Sequence, residues 1–140
     1  MISNEMRDKL IAMAREASQN AYVPYSHFKV GAALLGRSGR VYTGCNVENA
    51  GYTPTNCAER TAIFKAVSEG EREFAAIAVV GGKDGVVTDI FPPCGVCRQV
   101  MQEFCGPDFE IHMQKAGGGV FTVKLPELLP FGFTKDSMEA

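Results

Sequence analysis

Three cysteines and one glutamate constrain the fold of this chain more than any other residues. Glu59 follows Cys57 by two positions, and Cys94 and Cys97 form a Cys-x-x-Cys pair well downstream. Three thiolates suit a zinc ion and leave its fourth coordination position open for water or substrate, whereas structural zinc sites are closed by four protein ligands. The fold therefore has to bring two distant segments to one metal ion, and the ligand count indicates a catalytic site.

Both cysteine segments have the pattern of a helix N-terminus. Two prolines precede Cys94, and residues 98–104 after the cysteine pair are predicted to be helical. Cys57 opens a run over residues 58–68 with apolar residues at helical spacing, and a glycine follows this run as a stop signal. Unpaired N–H groups at a helix start favour thiolate over thiol. We therefore expect two helix N-termini to face one zinc ion.

Glu59 and Arg60 are the charged residues beside the first cysteine. Zinc lowers the pKa of a bound water molecule, and a nearby carboxylate can take that proton and hand it to a leaving group. Glu59 is predicted to be this proton shuttle rather than a metal ligand. Arg60 is predicted either to offset the negative charge of the thiolates through hydrogen bonds to sulfur, or to be a solvated arginine on the helix surface.

Helical and strand patterns alternate along the chain. Helices are predicted over about 5–19, 58–68 and 98–104, with a short one after Pro126. Strands are predicted over 30–35, 41–45, 75–80, 109–113 and 120–123. Glycine-containing turns are predicted at 36–39, 81–82 and 117–119. This alternation favours an α/β fold, namely a three-layer α/β/α sandwich around a central mixed sheet of about five strands.

Composition limits the classes of function. A chain of 140 residues with 46% hydrophobic and 21% charged residues suits one soluble domain over residues 1–140, without a membrane span or a leading signal peptide. We expect a cytoplasmic protein with reduced thiols, in which Cys45 and Cys105 are buried apolar side chains. A net charge of −2 with no basic run predicts a free small-molecule partner, not nucleic acid or a membrane.

Several stretches resemble the small, homotetrameric, zinc-dependent cytidine deaminases. They read PYSHFKVGAAL at 24–34, GCNVENA at 44–50, CAERTA at 57–62 and PCGVCRQ at 93–99, and the similarity continues to LLPFGF at 128–133. The Cys-x-Glu and Pro-Cys-x-x-Cys elements are the cysteine form of the zinc nucleobase deaminase signature. The resemblance covers nearly the whole chain and implies the same sandwich fold.

The resemblance implies roles for residues outside the metal site. Asn46 and Glu48 look like the pair that hydrogen-bonds the ribose hydroxyls, and Phe28 looks like the aromatic ring that packs against the pyrimidine. The other implied substrate contacts are Ala58 and, from a neighbouring subunit, Ala50, Tyr52 and Phe133. An extra aromatic residue, Phe131, leaves open which C-terminal ring is used.

The resemblance also implies the reaction. Zinc-bound hydroxide attacks C4 of cytidine or 2′-deoxycytidine, and Glu59 carries protons to N3 and to the departing ammonia. Uridine or 2′-deoxyuridine is then the product, as in pyrimidine salvage. One zinc ion per subunit, held by Cys57, Cys94 and Cys97, and active sites shared across a homotetramer belong to the same expectation.

Three alternatives stay open at this point. A noncatalytic structural zinc module would use Cys45 as a fourth ligand, but such a module has no use for Glu59. A dithiol redox protein would use Cys94 and Cys97, but it leaves Cys57 without a role. Deamination of a modified cytosine nucleoside such as blasticidin S keeps the same chemistry, and the predicted ribose-binding pair favours an ordinary nucleoside over it.

Overall fold

One mixed sheet forms the centre of the computed structural model, which describes residues 1–139. Its strands are β1 (Phe28–Gly36), β2 (Val41–Cys45), β3 (Phe74–Lys83), β4 (Glu110–Gln114) and β5 (Val120–Lys124). The helices are α1 (Asn4–Ser18), α2 (Ala58–Ser68), α3 (Gly95–Phe104), α4 (Leu125–Leu128) and α5 (Lys135–Glu139). The strands lie in the order β2-β1-β3-β4-β5, which confirms the predicted mixed sheet of five strands.

The strand directions place the candidate site at one end of the sheet. β1 runs antiparallel to both β2 and β3, so β1 begins where β2 and β3 end. α2 follows β2, and α3 follows β3 and crosses over to the parallel strand β4. Both helices that carry the cysteines therefore start at the same end of the sheet.

Hydrophobic side chains on both faces of the sheet create the three layers. Alternate residues of β1 face opposite sides: Val30, Ala32 and Leu34 pack with α2 and α3, whereas Ala33 and Leu35 pack with α1. β3 is buried along nearly its whole length because helices cover both of its faces. The predicted α/β/α sandwich is therefore the observed architecture.

Two glycines let helices lie directly on strand backbones. A Cβ atom at Gly31 would come within 1.9 Å of the Ala14 carbonyl oxygen in α1. A Cβ atom at Gly44 would lie 2.6 Å from the Ala58 carbonyl oxygen and from the Ala62 amide nitrogen. Because glycine has no side chain, β2 can approach the first turn of α2 this closely. Gly44 thereby fixes the position of the helix end that carries Cys57.

One predicted turn is wrong, and one helix has no counterpart in the prediction. Residues 81–82 continue β3, because Gly81 pairs with Val30 and Gly82 pairs with Lys29 of β1. The turn at 117–119 is correct, with Gly117 and Gly118 at positive φ. The short helix α5 at the C-terminus was outside the predicted elements. The register between β1 and β3 therefore overrides the local preference of the two glycines for a turn.

Candidate active site

Three cysteine sulfurs lie together between the first turns of α2 and α3. Cys57 is the N-cap of α2, Cys94 is the N-cap of α3, and Cys97 lies one turn further along α3. The Cys94 sulfur is 3.7 Å from that of Cys57 and 3.6 Å from that of Cys97. In a tetrahedral site with Zn–S bonds of about 2.3 Å, neighbouring sulfurs are about 3.8 Å apart. The three thiols therefore fit a zinc ion, with one coordination position left over.

Hydrogen bonding to its neighbours lowers the pKa of the Cys57 thiol. The contact with Cys97 contributes most, and Arg60 and Cys94 add to it, so the pKa of Cys57 falls to about 5 despite its partial burial. The Arg60 Nη2 atom lies 3.3 Å from the Cys57 sulfur and donates a hydrogen bond to it. The pKa of Cys97 is raised because its S–H is shared with the Cys57 thiolate and because it is buried. Zinc binding converts all three groups to thiolates.

Glu59 is a buried carboxyl group next to these sulfurs. It is the second residue of α2, and only 3% of its surface is exposed. Burial raises the pKa of Glu59 to about 7. A carboxyl group with a pKa near neutrality can both accept and release a proton during one catalytic cycle. A divalent cation on the thiols would lower this pKa again, because it adds positive charge nearby.

A cavity of about 100 Å³ opens beside the thiols and Glu59. The residues that line it are Val30, Asn46, Cys57, Ala58, Glu59, Phe91, Pro92 and Cys94. Phe28 adjoins this wall, since its ring centroid is 5.9 Å from that of Phe91 with an interplanar angle of 38°. Phe91 and Pro92 were absent from the predicted site, although an aromatic residue directly before Pro-Pro-Cys was a usable signal.

Asn46 and Glu48 are held by hydrogen bonds to the backbone. The Asn46 side chain accepts from the Val30 N–H (3.0 Å) and donates to the Phe28 carbonyl (2.8 Å). Glu48 accepts from the backbone N–H groups of Tyr25 (3.0 Å) and Ser26 (3.1 Å) and from the Ser26 hydroxyl. These bonds outweigh partial burial and hold the pKa of Glu48 below its usual range. Asn46 thus lies at the cavity, and Glu48 lines a separate depression of about 380 Å³.

Three predicted substrate contacts lie outside the cavity of their own chain. Ala50 and Tyr52 belong to the exposed loop between β2 and α2, and Tyr52 is 77% exposed. Phe133 is 59% exposed, and Phe131 is fully exposed. The Phe133 carbonyl accepts a hydrogen bond from the Gln99 side chain (2.9 Å), which ties this segment to α3. None of these side chains lines the described cavity.

Arg98 is a further residue that the predicted site did not contain. Its Nε atom donates to the Pro93 carbonyl and its Nη1 atom donates to the Leu128 carbonyl, both at 2.7 Å. The guanidinium group thereby joins the loop before Cys94 to the C-terminal segment that leads to Phe133. An arginine immediately after the cysteine pair was the available signal.

Cys45 does not join the metal-binding thiols. Among residues 1–139, the group of potential metal ligands that lie close together contains Cys57, Cys94 and Cys97 alone. Cys45 ends β2, and its carbonyl accepts a hydrogen bond from the Thr61 hydroxyl. Burial raises the pKa of the Cys45 thiol. The structure therefore gives no support to a closed four-thiolate site.

Residues 4–113 match the family model described as the cytidine and deoxycytidylate deaminase zinc-binding region. This range contains the three thiols, Glu59, the first three strands of the sheet and all of β4 except its last residue. The fold and the site together define a zinc-binding deaminase. Zinc is therefore the cofactor of this class that Cys57, Cys94 and Cys97 fit.

Known proteins with similar sequences narrow this class. A cytidine deaminase from Sporosarcina psychrophila is 49% identical over 94% of this chain and 93% of its own length. One from Halalkalibacterium halodurans is 51% identical over 94% of this chain and 97% of its own length. The crystal structure of the Burkholderia pseudomallei cytidine deaminase superposes with a TM-score of 0.83, at 46% identity over 94% of this chain and all of that one. The chain belongs to the cytidine deaminase family of zinc-dependent hydrolases, which confirms the resemblance drawn from its motifs.

Proposed function

We propose that this protein deaminates free cytidine and 2′-deoxycytidine to uridine and 2′-deoxyuridine, in pyrimidine salvage. The observation that carries the proposal is the buried carboxyl group of Glu59 beside three thiols that fit zinc, at the edge of one cavity. The net charge of −2 favours a nucleoside over a polynucleotide, because a phosphate backbone would need a basic surface. Residues 1–140 are proposed to form a single catalytic domain.

Each residue at the metal has a separate task in the proposed reaction. Zinc held by Cys57, Cys94 and Cys97 would supply a nucleophilic water by lowering its pKa. Glu59 would accept the two protons of this water in turn, the first as the water attacks C4 and the second from the resulting C4 hydroxyl, and pass the first to N3 and the second to the leaving amino group. Arg60 draws negative charge from the Cys57 sulfur through its hydrogen bond. The metal ion therefore keeps more of its Lewis acidity than it would without this hydrogen bond.

The remaining cavity residues are proposed to bind the nucleoside. Phe28 packs against the pyrimidine ring, and Ala58, which is fully buried at the start of α2, lies against the base. Asn46 keeps one free N–H and one free lone pair after its two backbone bonds, and these suit a ribose hydroxyl. Glu48 accepts a hydrogen bond from a second ribose hydroxyl at the adjacent depression.

A spectrophotometric assay of the purified protein tests the reaction. Incubation with cytidine and with 2′-deoxycytidine is expected to give zinc-dependent loss of substrate absorbance, with ammonia and uridine or 2′-deoxyuridine, respectively, formed in equal amounts. Cytosine and CMP serve as controls that lack the ribose or carry an added phosphate. The proposal fails if the zinc-loaded protein leaves both nucleosides unchanged, and turnover of a modified cytosine nucleoside alone would replace the substrate assignment.

We also propose a homotetramer in which Ala50, Tyr52 and Phe133 complete the site of a neighbouring subunit. The exposure of Tyr52 and Phe133 supports this proposal, because neither ring lines the cavity beside Glu59 in its own chain, although Tyr52 does line the depression at Glu48. We propose a cytoplasmic location, because the thiols must stay reduced to bind a metal ion and the cytoplasm is a reducing compartment. Residues 1–139 contain no helix with the length and apolar character needed to cross a bilayer.

Co-expression of two inactive variants tests the shared site. Glu59→Gln chains keep Phe133, and Phe133→Ala chains keep Glu59, so a mixed oligomer contains sites with both groups only if Phe133 acts across the interface. Random mixing should restore roughly a quarter of wild-type activity in a symmetric oligomer. Activity no greater than the sum of the two separate variants would contradict the shared site. Replacing Phe133→Ala with Phe131→Ala in the same mixture decides which ring is used.

A further inference from the structure

Phe91 occupies a fixed position in the cavity wall. The segment after it, Pro92-Pro93-Cys94, is stiffened by two prolines and ends in a metal-binding thiol. The Phe91 ring lies over Gly81 of β3, where a Cβ atom would be only 2.8 Å from the ring carbon Cγ. The same Cβ atom would be 3.0 Å from the Cγ2 atom of Val30. Gly81 therefore provides the space that the Phe91 ring fills, and the ring cannot retreat far toward the sheet.

The residues that line the cavity divide by polarity. Cys57, Glu59 and Cys94 bring the groups to which the proposed function assigns the chemistry, and Val30, Phe91 and Pro92 bring apolar surface, called here the apolar wall. A cytosine ring has the same division, since O2, N3 and the amino group form its polar edge and the C5–H and C6–H groups form its apolar edge. When C4 and N3 face the thiols and Glu59, the apolar edge is left for the apolar wall.

We propose that Phe91 is a specificity residue that limits the size of the substituent a cytosine base can carry at C5. This inference rests on the proposed function, because that function sets which edge of the base faces Glu59. The Phe28 ring packs against the Phe91 ring in a tilted contact, with centroids 5.9 Å apart. A bulky group at C5 would have to displace the Phe91 ring, which Gly81 and Phe28 hold in place.

The test compares Phe91→Ala with the wild-type protein on cytidine, 5-methylcytidine and 5-ethylcytidine. Removal of the ring is expected to raise the kcat/KM ratio of each 5-alkyl substrate to cytidine at least tenfold, because one methylene in an apolar pocket changes selectivity by about 10- to 200-fold. Phe121→Ala is the matched control, since it truncates an exposed phenylalanine on β5 and should leave the ratio unchanged. Phe91→Val keeps apolar packing at the position and replaces Phe91→Ala if that variant does not fold.

Binding of the products gives the same comparison without turnover. Calorimetry should show that Phe91→Ala lowers the Kd of 5-methyluridine relative to that of uridine, by at least tenfold compared with the wild-type protein. A ratio within twofold of the wild-type value in both experiments would overturn the role of Phe91. Failure of the wild-type protein to deaminate cytidine would instead overturn the proposed function, so the two failures are distinguishable.

Discussion

Replacing Glu59 with glutamine is expected to lower kcat by about a hundred- to ten-thousandfold, the usual contribution of a positioned proton-transfer group. Glutamine has nearly the same shape as glutamate, so it fits the buried position, but it cannot accept a proton from water and release it to the base. Zinc content should stay at the wild-type level, because Glu59 is not among the grouped thiol ligands. Steady-state kinetics with cytidine and elemental analysis of the same sample check both statements.

Glu16→Gln is the matched control for this substitution. Glu16 lies on the exposed side of α1, away from the cavity, so the same chemical change there should leave kcat and zinc content unaltered. Near-normal turnover by the Glu59→Gln protein would show that another group moves the protons. Loss of zinc together with activity would show that the carboxylate helps to hold the metal.

Cys94→Ala is expected to lose both zinc and deaminase activity. Cys94 is the middle sulfur of the group, within 3.7 Å of the other two, so its removal leaves a two-thiolate site that no longer closes around a metal ion. Activity should fall at least as far as in the Glu59→Gln protein. Elemental analysis after dialysis, followed by kinetics with and without added zinc, measures the effect. Added zinc should restore activity to metal-depleted wild-type protein but not to the variant.

Cys45→Ala is the control that tests the closed-site alternative. Cys45 lies at the end of β2, outside the grouped ligands, so this variant should keep its zinc and most of its activity. Zinc loss in Cys45→Ala would contradict the three-ligand site and favour a structural metal module. Parallel measurement on Cys94→Ala and Cys45→Ala therefore separates a catalytic zinc site from a structural one.

The metal site could be predicted because its signals are local. Cys57 stands directly before a helical pattern and is the N-cap of α2. The second of these helices, α3, begins at Gly95, three residues before the predicted start at residue 98, so Cys94 is its N-cap and Cys97 lies in its first turn. Glu59 is two residues from a ligand, so the helix start alone brings it close to the metal. The alternation of helix and strand patterns was sufficient to predict the three-layer architecture, since a strand that is apolar on both faces needs helices on both faces.

The cavity wall could not be predicted in the same way, because it depends on contacts between distant segments. Gly81 was predicted as a turn from the local preference of glycine, but its pairing with Val30 keeps it in β3 and makes room for Phe91. The reach of Arg98 to the Leu128 carbonyl likewise depends on how α3 packs against the C-terminal segment. The proposed roles of Tyr52 and Phe133 remain predictions, because both side chains are exposed and neither lines the cavity beside Glu59 in its own chain.

The position of β3 in the sequence, between the two segments that carry the metal ligands, has a consequence for the stability of the fold. Cys57 and Cys94 are 37 residues apart in the chain, and the central strand lies within the interval they bracket. A shared metal ion would act there as a cross-link, and a loop of this length corresponds to about 4 kcal/mol of lost freedom in the unfolded chain by the entropy relation for disulfides. The ion needed for the chemistry would thus also stabilise the middle of the sheet, and loss of zinc would lower both the stability and the activity of the protein.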